Sequence, residues 1–438
     1  MRGTLVRIPR KLKIAAAIFT CVAVAAPAIA ASLQVEDRAV VAGITVGTTD
    51  SWDVGTGDVD GDGDVDFHVS LHMKNPGMLY SQNDDGTFTR TAFQVVSPRP
   101  TPGYTSKSYV DRHASVIADF DGNDLGDIYN SAGRYASNRV KGEDINNELF
   151  LQTAPGVFQD FATQYGVGEP CQRGRHVLAT DWNSDGWPDL FIGAQVERAV
   201  TDACDGYADH PYNEQPHVYI NLGDPEQDGT WNGFRTAPEF NVSAKNTGVR
   251  MALEWDYNHD GRPDLLSLTF PNKKPTLLRN TGSGFVNVTS LSLPYMNGAK
   301  VGDVTGDGID DLVYGDNAGF KYREGTATGL STTVRPLGTV GSNADGWTVA
   351  LGDANGDGKL DVYGQVSGAT ATAGNPDDIL FMANASGGYQ QHVVPSAGGD
   401  ANDVEAIDVN GRAQFVVLNG GNDEATVPGP IQLIAFLN

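Results

Sequence analysis

Acidic side chains recur with one fixed spacing in six short segments of the chain. Each segment places Asp, Asn or, once, Thr at its first, third and fifth positions, and Asp at its ninth. Oxygens at alternate positions of a tight loop can converge on one cation, and calcium is the hard cation that takes six to eight oxygen ligands. Glycine within the segment permits the sharp turn. The pattern therefore predicts up to six structural calcium sites.

Four side chains and the backbone carbonyl of the seventh residue are the predicted ligands in each segment. In chain order, the six sets are Asp58, Asp60, Asp62, Asp64 and Asp66; Asp119, Asp121, Asn123, Leu125 and Asp127; Asp181, Asn183, Asp185, Trp187 and Asp189; Asp256, Asn258, Asp260, Arg262 and Asp264; Asp303, Thr305, Asp307, Ile309 and Asp311; and Asp353, Asn355, Asp357, Lys359 and Asp361. Thr305 makes the fifth set the weakest in oxygen donors. A worn seventh copy begins at Asp408, and because Arg412 stands at its third ligand position we predict no ion there.

Two other interpretations of these segments are disfavoured. An EF-hand needs a bidentate Glu at the twelfth loop position, and no segment has one: the residues there are Val69, Asn130, Ile192, Ser267, Tyr314 and Gly364. Simple Asp/Gly turns without metal are the second alternative. Six near-complete copies argue against it, because clustered carboxylates repel one another without a cation.

The same segments mark a repeat that extends over the chain. Successive first residues lie between 47 and 75 positions apart, and short apolar runs of strand character flank each segment. This spacing fits one four-stranded blade per repeat, and no later stretch has sustained helical periodicity. We therefore predict an all-β, seven-bladed β-propeller of four-stranded blades that occupies residues 31–438 as a single domain.

The two ends of the repeat region predict how the ring closes. After Asp408 the chain offers only three strands, whereas residues 33–46 are similar to the fourth strand of other repeats. Closure removes exposed sheet edges that would otherwise pair with other chains. The N-terminal strand is therefore predicted to pair with the C-terminal blade and complete blade seven.

The acidic loops resemble those of FG-GAP/VCBS repeat proteins, which include the N-terminal propeller of integrin α-subunits and several lectins. The Phe-Gly and Gly-Ala-Pro signatures are less faithful; residues 190–194 come closest and lack the Pro. The resemblance implies a seven-bladed propeller with calcium between the first two strands of a blade. It does not fix a ligand, since the family includes adhesion modules, lectins and polysaccharide lyases.

The N-terminus predicts export. Residues 1–30 combine basic residues, an apolar stretch and a small-residue cleavage site, as a secretory signal does; an uncleaved membrane anchor is the alternative. No later apolar run could cross a bilayer, so the mature chain is expected to be secreted or periplasmic.

Cys171 and Cys204 are predicted to form a disulfide, with two buried free thiols as the alternative. The formal net charge of −25 disfavours a nucleic-acid partner.

A ligand site is predicted on the face opposite the acidic loops. Residues about six positions before each loop should ring the mouth of the central channel: Trp52, His113, Arg175, His176, Arg250 and Trp347, together with Asn297 and Asn402. Long insertions should add Tyr135, Tyr207 and His210 to this face. Aromatic rings that stack on a sugar and guanidinium groups that pair with its carboxylate would suit an acidic glycan. The alternative is that these are ordinary rim and loop residues.

Three functions remain open on this sequence. The first is a non-catalytic binding module, with an extracellular glycan as its expected ligand. The second is a lyase for uronic-acid polysaccharides, in which an Arg would neutralise the carboxylate and His113, His176 or a Tyr would abstract the proton. The third is an adhesion or scaffold propeller for protein ligands. The chain contains no G-x-S-x-G motif, no zinc signature and no acidic pair outside the loops, so catalysis is disfavoured.

Overall fold

Each acidic loop is followed directly by a strand, because the residues after its ninth position are apolar, β-branched or aromatic. Asp189–Ala194 is an example, and every residue of this strand is buried. A computed structural model describes residues 34–44, 47, 49–72, 77–91, 94–95, 111–133, 146–169, 174–194, 217–240, 242, 248–269, 274–368, 375–421 and 428–437. In these residues the chain forms seven four-stranded antiparallel sheets in a ring. The predicted seven-bladed β-propeller is confirmed.

The first strand of each blade lines the central channel, and the next two strands follow outward. The first strands are β2 (Ser51–Gly57), β7 (Arg112–Ala118), β11 (Gly174–Thr180), β15 (Val249–Trp255), β19 (Gly298–Gly302), β25 (Ala344–Gly352) and β29 (Asp403–Val409). The second strands are β3 (Asp66–Leu71), β8 (Asp127–Ala132), β12 (Asp189–Ala194), β16 (Asp264–Thr269), β20 (Asp311–Asp316), β26 (Asp361–Gly368) and β30 (Arg412–Leu418). The third strands are β4 (Met78–Gln82), β9 (Glu148–Ala154), β13 (His217–Asn221), β17 (Thr276–Asn280), β21 (Gly319–Arg323), β27 (Asp378–Ala383) and β31 (Ile431–Leu437).

The fourth strands form the outer edge of the ring. They are β5 (Phe88–Thr91), β10 (Val157–Asp160), β14 (Phe234–Thr236), β18 (Phe285–Asn287), β24 (Arg335–Thr339), β28 (Tyr389–Val394) and, for blade seven, β1 (Gln34–Asp37). Four short elements complete the described structure: β6 (Gln94–Val95) pairs in parallel with β10, β22 (Gly325–Thr326) pairs with β23 (Gly329–Leu330), and a 3-10 turn spans Pro238–Phe240. No helix in the described part of the chain is long and apolar enough to cross a membrane.

The hydrophobic core lies between blades rather than within any one of them. The described residues form seven apolar clusters, and each combines residues from two neighbouring blades. Between blades two and three, for example, Tyr129 and Leu149 pack with Leu190 and Ile192. A single blade therefore cannot bury its own apolar faces, and stability depends on the complete ring.

Strand β1 closes the ring as predicted. It runs antiparallel to β31, with Gln34 opposite Leu437 and Asp37 opposite Ile434. The strand is shorter than residues 33–46, because an Asp37 Oδ1 oxygen accepts the Ala39 amide at 3.0 Å and starts a turn. Beyond the turn, the Ala42 carbonyl accepts the Phe88 amide at 2.6 Å. The N-terminal segment thus joins blade seven to blade one.

The degenerate seventh copy of the acidic loop, which begins at Asp408, is a tight hairpin. Val409 pairs with Arg412, and the two residues between them, Asn410 and Gly411, have φ angles of 55° and 80°. Asn-Gly in this conformation is the preferred two-residue turn of a β-hairpin. Arg412 is therefore the first residue of β30. The predicted signal peptide, Cys171 and Cys204 lie outside the described residues.

Candidate functional site

Hydrogen bonds from the backbone shape every one of the six acidic loops. In the first loop, the Asp58 carboxylate accepts the amides of Gly61 at 2.7 Å and Gly63 at 3.0 Å. In the sixth loop, Asp353 accepts the amides of Gly356 at 2.7 Å and Gly358 at 2.6 Å. Hydrogen bonds from loop amides to the carboxylate of the first Asp thus stabilise the turn without a cation.

The Asp at the ninth position of each loop is fully buried and has a structural role. In the third loop, the two oxygens of Asp189 accept the amides of Trp182 at 2.9 Å and Asn221 at 2.8 Å. The first amide belongs to the loop and the second to the third strand of the same blade. The same pair of bonds recurs at Asp66, Asp127 and Asp361. At Asp311 the second amide belongs to Gly325 in β22. In these five blades the ninth Asp therefore links its loop to a later segment of the same blade.

Several loops are also tied to the neighbouring blade. The Gln152 side chain of blade two donates to the Val59 carbonyl of the first loop at 2.7 Å. The Asn221 and Asn280 amides reach the carbonyls of Phe120 and Trp182 in the preceding loops, both at 2.8 Å. A change in loop conformation is therefore transmitted to contacts between blades.

The loops have the electrostatics expected of a cation site. Burial raises the pKa of Asp66 and Asp189 to about 7, and that of Asp127 to about 8. Burial likewise raises the pKa of Asp264 and Asp361 to about 6. Nearby Asp side chains of the same loops also contribute to these raised pKa values. A bound divalent cation would offset both the burial and the mutual repulsion.

The donor set fits a hard divalent cation. One oxygen each from Asp58, Asp60 and Asp66 lies within 4.8 Å of the others, and the second loop has the same arrangement. In the fourth loop, the Oδ2 oxygen of Asp264 is buried without a hydrogen-bond partner. The Tyr257 amide, which occupies the donor position used in other loops, bonds to the Trp255 carbonyl instead. These oxygens suit calcium chemistry.

On the opposite face, β-bulges define the mouth of the channel. In five first strands, the pairing register skips one residue: Trp52, His113, Arg175, Arg250 and Trp347. A bulge leaves its extra residue outside the ladder and re-aims that side chain. Five of the six predicted rim residues on the first strands are thus the bulged residues. His176, the sixth, pairs with Gly193 and lies one position deeper in the channel.

Blades one to three contribute one polar group at the mouth. His72 Nε2 lies 3.0 Å from Asp111 Oδ1, and His113 Nε2 lies 3.2 Å from Asp111 Oδ2. Trp52 stacks on His72 with ring centroids 4.9 Å apart and meets the edge of His113 at 5.1 Å. The Arg175 guanidinium contacts the His113 ring. We call these five residues the His–Asp cluster.

The charges in the His–Asp cluster are set by burial and by Arg175. Burial, with Arg175 second, lowers the pKa of His113 to about 3, so this imidazole is neutral at physiological pH. Burial would raise the pKa of Asp111, but His113, His72 and Arg175 outweigh it and hold that pKa well below its usual range. Asp111 is therefore ionised between two imidazole rings.

Blades four to seven contribute a second group at the mouth. The Arg250 guanidinium lies 3.8 Å from the centre of the Trp347 ring, a cation–π contact. The Trp347 indole donates to the Asn402 carbonyl at 3.3 Å, and the Asn402 side chain donates to the Ser51 carbonyl at 2.6 Å. Asn297 donates to the Gly346 carbonyl at 2.9 Å. The rim residues therefore bridge neighbouring blades.

Below the mouth, the channel holds a group of buried charges. The Asp53 carboxylate accepts the Ser115 amide at 2.8 Å, and Asp403 accepts the Val54 amide at 3.1 Å. Lys300 pairs with Glu405. Burial first, and then neighbouring carboxylates, raise the pKa of Asp53 and bring that of Asp403 to about 7. Burial, with Lys300 second, lowers the pKa of His176 to about 4.

These channel carboxyls predict a pH dependence of stability at saturating calcium. Because their pKa values are raised on folding, the folded protein retains protons that the unfolded chain releases above about pH 4. The contribution is complete below the unfolded pKa and is lost as pH rises through about 7. We expect the free energy of unfolding, measured with urea, to fall between pH 5 and pH 8.

Substitution of one carboxyl tests this assignment. Asp403→Asn removes a titrating group and should flatten the pH profile, whereas Asp377→Asn, at an exposed position, should leave the slope unchanged. Equal slopes in the wild type and Asp403→Asn would contradict the role of the channel carboxyls.

The sequence did not indicate His72 or Asp111 as site residues. His72 follows the end of β3, and Asp111 directly precedes β7, so they lie 39 positions apart and share no motif. The only sequence signal for them was their position: Asp111 directly precedes the first strand β7, and His72 follows β3, which pairs with the first strand β2. The predicted residues Tyr135, Tyr207 and His210 lie outside the described residues. His217, at the start of β13, contacts buried Glu169 at 2.5 Å.

Comparison with known proteins agrees with the repeat. The profile of the FG-GAP-like repeat matches residues 256–314 and 303–364, which contain the fourth, fifth and sixth acidic loops. A search of curated proteins gave no match.

Three solved structures are similar to the chain. One is a lectin from Agrocybe aegerita, described for its specific recognition of non-reducing terminal N-acetylglucosamine, at 15% identity over 90% of this chain and 86% of that chain, with a TM-score of 0.49. The second is the Dos1 propeller, at 9% identity over 92% and 95%, with a TM-score of 0.49. The third is a protein from Lactobacillus plantarum, at 10% identity over 83% and 96%, with a TM-score of 0.43. The chain thus contains FG-GAP-like repeats within residues 256–364, as part of a seven-bladed β-propeller.

Proposed function

We propose that this protein is a secreted, calcium-binding propeller that binds an extracellular glycan at the bulged mouth of its channel, without catalysis. The observation that carries this proposal is the set of five β-bulges. Each bulge places a Trp, Arg or His at the same level of the ring, on the face opposite the acidic loops. Bulges of this kind commonly re-aim side chains at functional sites.

The chemistry of the mouth favours an acidic sugar. Two indole rings and two guanidinium groups share the rim, and all four side chains are half-buried rather than fully enclosed. Aromatic faces contribute apolar area to a sugar ring, and guanidinium pairs with a carboxylate through two hydrogen bonds. In a chain with a formal net charge of −25, two Arg side chains on one rim provide a local site for an anion.

Calcium has a structural role in this proposal. The loops lie at the far end of each first strand from the mouth, and their ninth Asp residues tie them to the sheets. When bound, calcium would supply the positive charge that these carboxylates lack. Glycan binding should then depend on calcium indirectly, through the integrity of the ring.

A glycan array that includes acidic polysaccharides tests the proposal, with the mature protein in calcium and in chelator. We expect a calcium-dependent acidic ligand whose affinity falls at least tenfold, about 1.4 kcal/mol, in Arg250→Ala and Trp347→Ala. Arg335→Ala removes an exposed Arg from an outer strand and should bind normally. If no glycan binds, or if the rim variants bind like this control, the proposal fails.

One observation favours a second candidate, a uronate lyase. Arg175 contacts a neutral His113, which is the pairing of cation and base that proton abstraction beside a carboxylate requires. His113 is only 2% exposed, however, and its ring already contacts the guanidinium. Unsaturated products released from a polysaccharide by the wild type, and not by His113→Ala, would favour the lyase over the binding module.

A further inference from the structure

We propose that His72, Asp111 and His113 form a second kind of metal site, for a divalent cation that prefers nitrogen ligands, such as zinc. This site would lie at the channel mouth, on the face opposite the acidic loops. It draws on two blades, and it does not depend on whether the mouth binds a glycan.

The spacing of the three side chains suits a metal. One ligand atom from each lies within 4.8 Å of the others. His72 Nε2 lies 3.0 Å from Asp111 Oδ1, and His113 Nε2 lies 3.2 Å from the other oxygen, Oδ2. In a tetrahedral zinc site with bonds of about 2.0 Å, neighbouring ligand atoms lie roughly 3.3 Å apart. Small movements of these side chains would therefore create the coordination distances.

A second, independent observation concerns the hydrogen bonding of the buried Asp111 carboxylate. Its side chain is 2% exposed, yet its Oδ1 oxygen has no hydrogen-bond partner. The His72 Nε2 nitrogen lies 3.0 Å from this oxygen. A buried carboxylate oxygen without a hydrogen bond is costly, and a cation bound at Oδ1 would offset that cost.

The surroundings hold the ligands in place. Trp52 contacts both imidazole rings, and the two rings meet edge to face with centroids 5.2 Å apart. Side chains fixed by packing lose little entropy on coordination.

The ligand types select the cation. Calcium and magnesium prefer oxygen donors, whereas two imidazoles with one carboxylate suit zinc and related transition metals. Three protein ligands leave at least one coordination position for water or another small ligand. The acidic loops have the opposite composition, so the two sites should discriminate between the two classes of cation.

The position of Arg175 beside His113 predicts that its side chain opposes metal binding. A zinc-bound His113 Nε2 requires the proton to reside on Nδ1, and the guanidinium, which only donates, contacts Nδ1 and lies 3.2 Å from Nε2. Arg175 must therefore move away when the metal binds, and its positive charge opposes the cation. Removing the guanidinium in Arg175→Gln should strengthen zinc binding several-fold.

Isothermal titration of zinc into the mature, calcium-saturated protein tests the site. We expect zinc bound by this cluster not to be displaced by millimolar calcium, and both His72→Ala and His113→Ala to weaken its binding at least tenfold. His392→Ala, in an outer strand of blade six, should bind as the wild type does. Cobalt should give visible d–d absorption that is lost in the same variants.

Two results would overturn the proposal. One is the absence of zinc binding at micromolar concentrations; the other is zinc binding that persists unchanged in both His variants. Because His113 is buried, its variant could fail to fold. His72, which is only partly buried, gives a variant whose folding can be checked by its melting temperature in calcium.

Discussion

Removal of calcium should lower the melting temperature of the mature protein by more than about 10 °C. A ligand at a hundred times its dissociation constant stabilises the folded state by roughly 2.7 kcal/mol for each site, and six loops share one cooperative ring. The structure adds a reason for a large effect. Loop carbonyls such as those of Val59 and Trp182 accept side-chain hydrogen bonds from the next blade, so loosened loops weaken the contacts between blades.

Differential scanning calorimetry in calcium and in EGTA measures this effect, with magnesium as the control cation. Magnesium should not restore the melting temperature, because it demands a smaller, nearly octahedral site. An identical melting temperature in calcium and in EGTA would reject structural calcium. The acidic segments would then be turns held by their own hydrogen bonds.

A pair of matched variants separates the cation from the turn. Asp353 and Asp408 both accept an amide from the residue three positions later, at 2.7 and 2.8 Å. Asp353→Asn retains an acceptor but removes a charged ligand, and should lower the melting temperature in calcium by several degrees. Asp408→Asn, in the hairpin of blade seven, should have little effect. In EGTA, Asp408→Asn should match the wild type, and Asp353→Asn should have a much smaller effect than in calcium, because it loses only the hydrogen bond from the Gly358 amide.

Deletion of residues 31–46 should be the most damaging change to the ring. It removes β1 and the segment that buries Ala39, Ala42 and Ile44 between blades seven and one. The lost apolar burial alone corresponds to at least about 4 kcal/mol. The deletion also exposes the edge of β31, which would then be available to pair with another chain.

The control is deletion of residues 31–33 alone, which leaves β1 intact. We expect the longer deletion to lower the melting temperature by roughly 10 °C and to promote oligomers in size-exclusion chromatography. The shorter deletion should behave as the wild type. If the longer deletion melted normally and remained monomeric, β1 would not be needed for closure.

Much of the fold was predictable because its signals are local. Each acidic loop is a continuous nine-residue segment, so alternate Asp residues and a turn were enough to locate it. The repeat of that segment indicated seven blades, and the missing fourth strand after Asp408 indicated the N-terminal closure. The sequence did not indicate that β1 ends at Asp37, since a side-chain hydrogen bond starts the turn there.

The tertiary structure decided what the local pattern could not express. The ninth Asp of each loop has the composition of a ligand, but only the folded blade shows that its oxygens also hold a strand in place. The residues around the channel mouth were identified by position alone, and their bulges appear only in the pairing register. His72 and Asp111 meet because neighbouring blades pack side by side around the axis. Such contacts depend on ring curvature and strand register, which link residues far apart in the sequence, and therefore no local spacing encodes them.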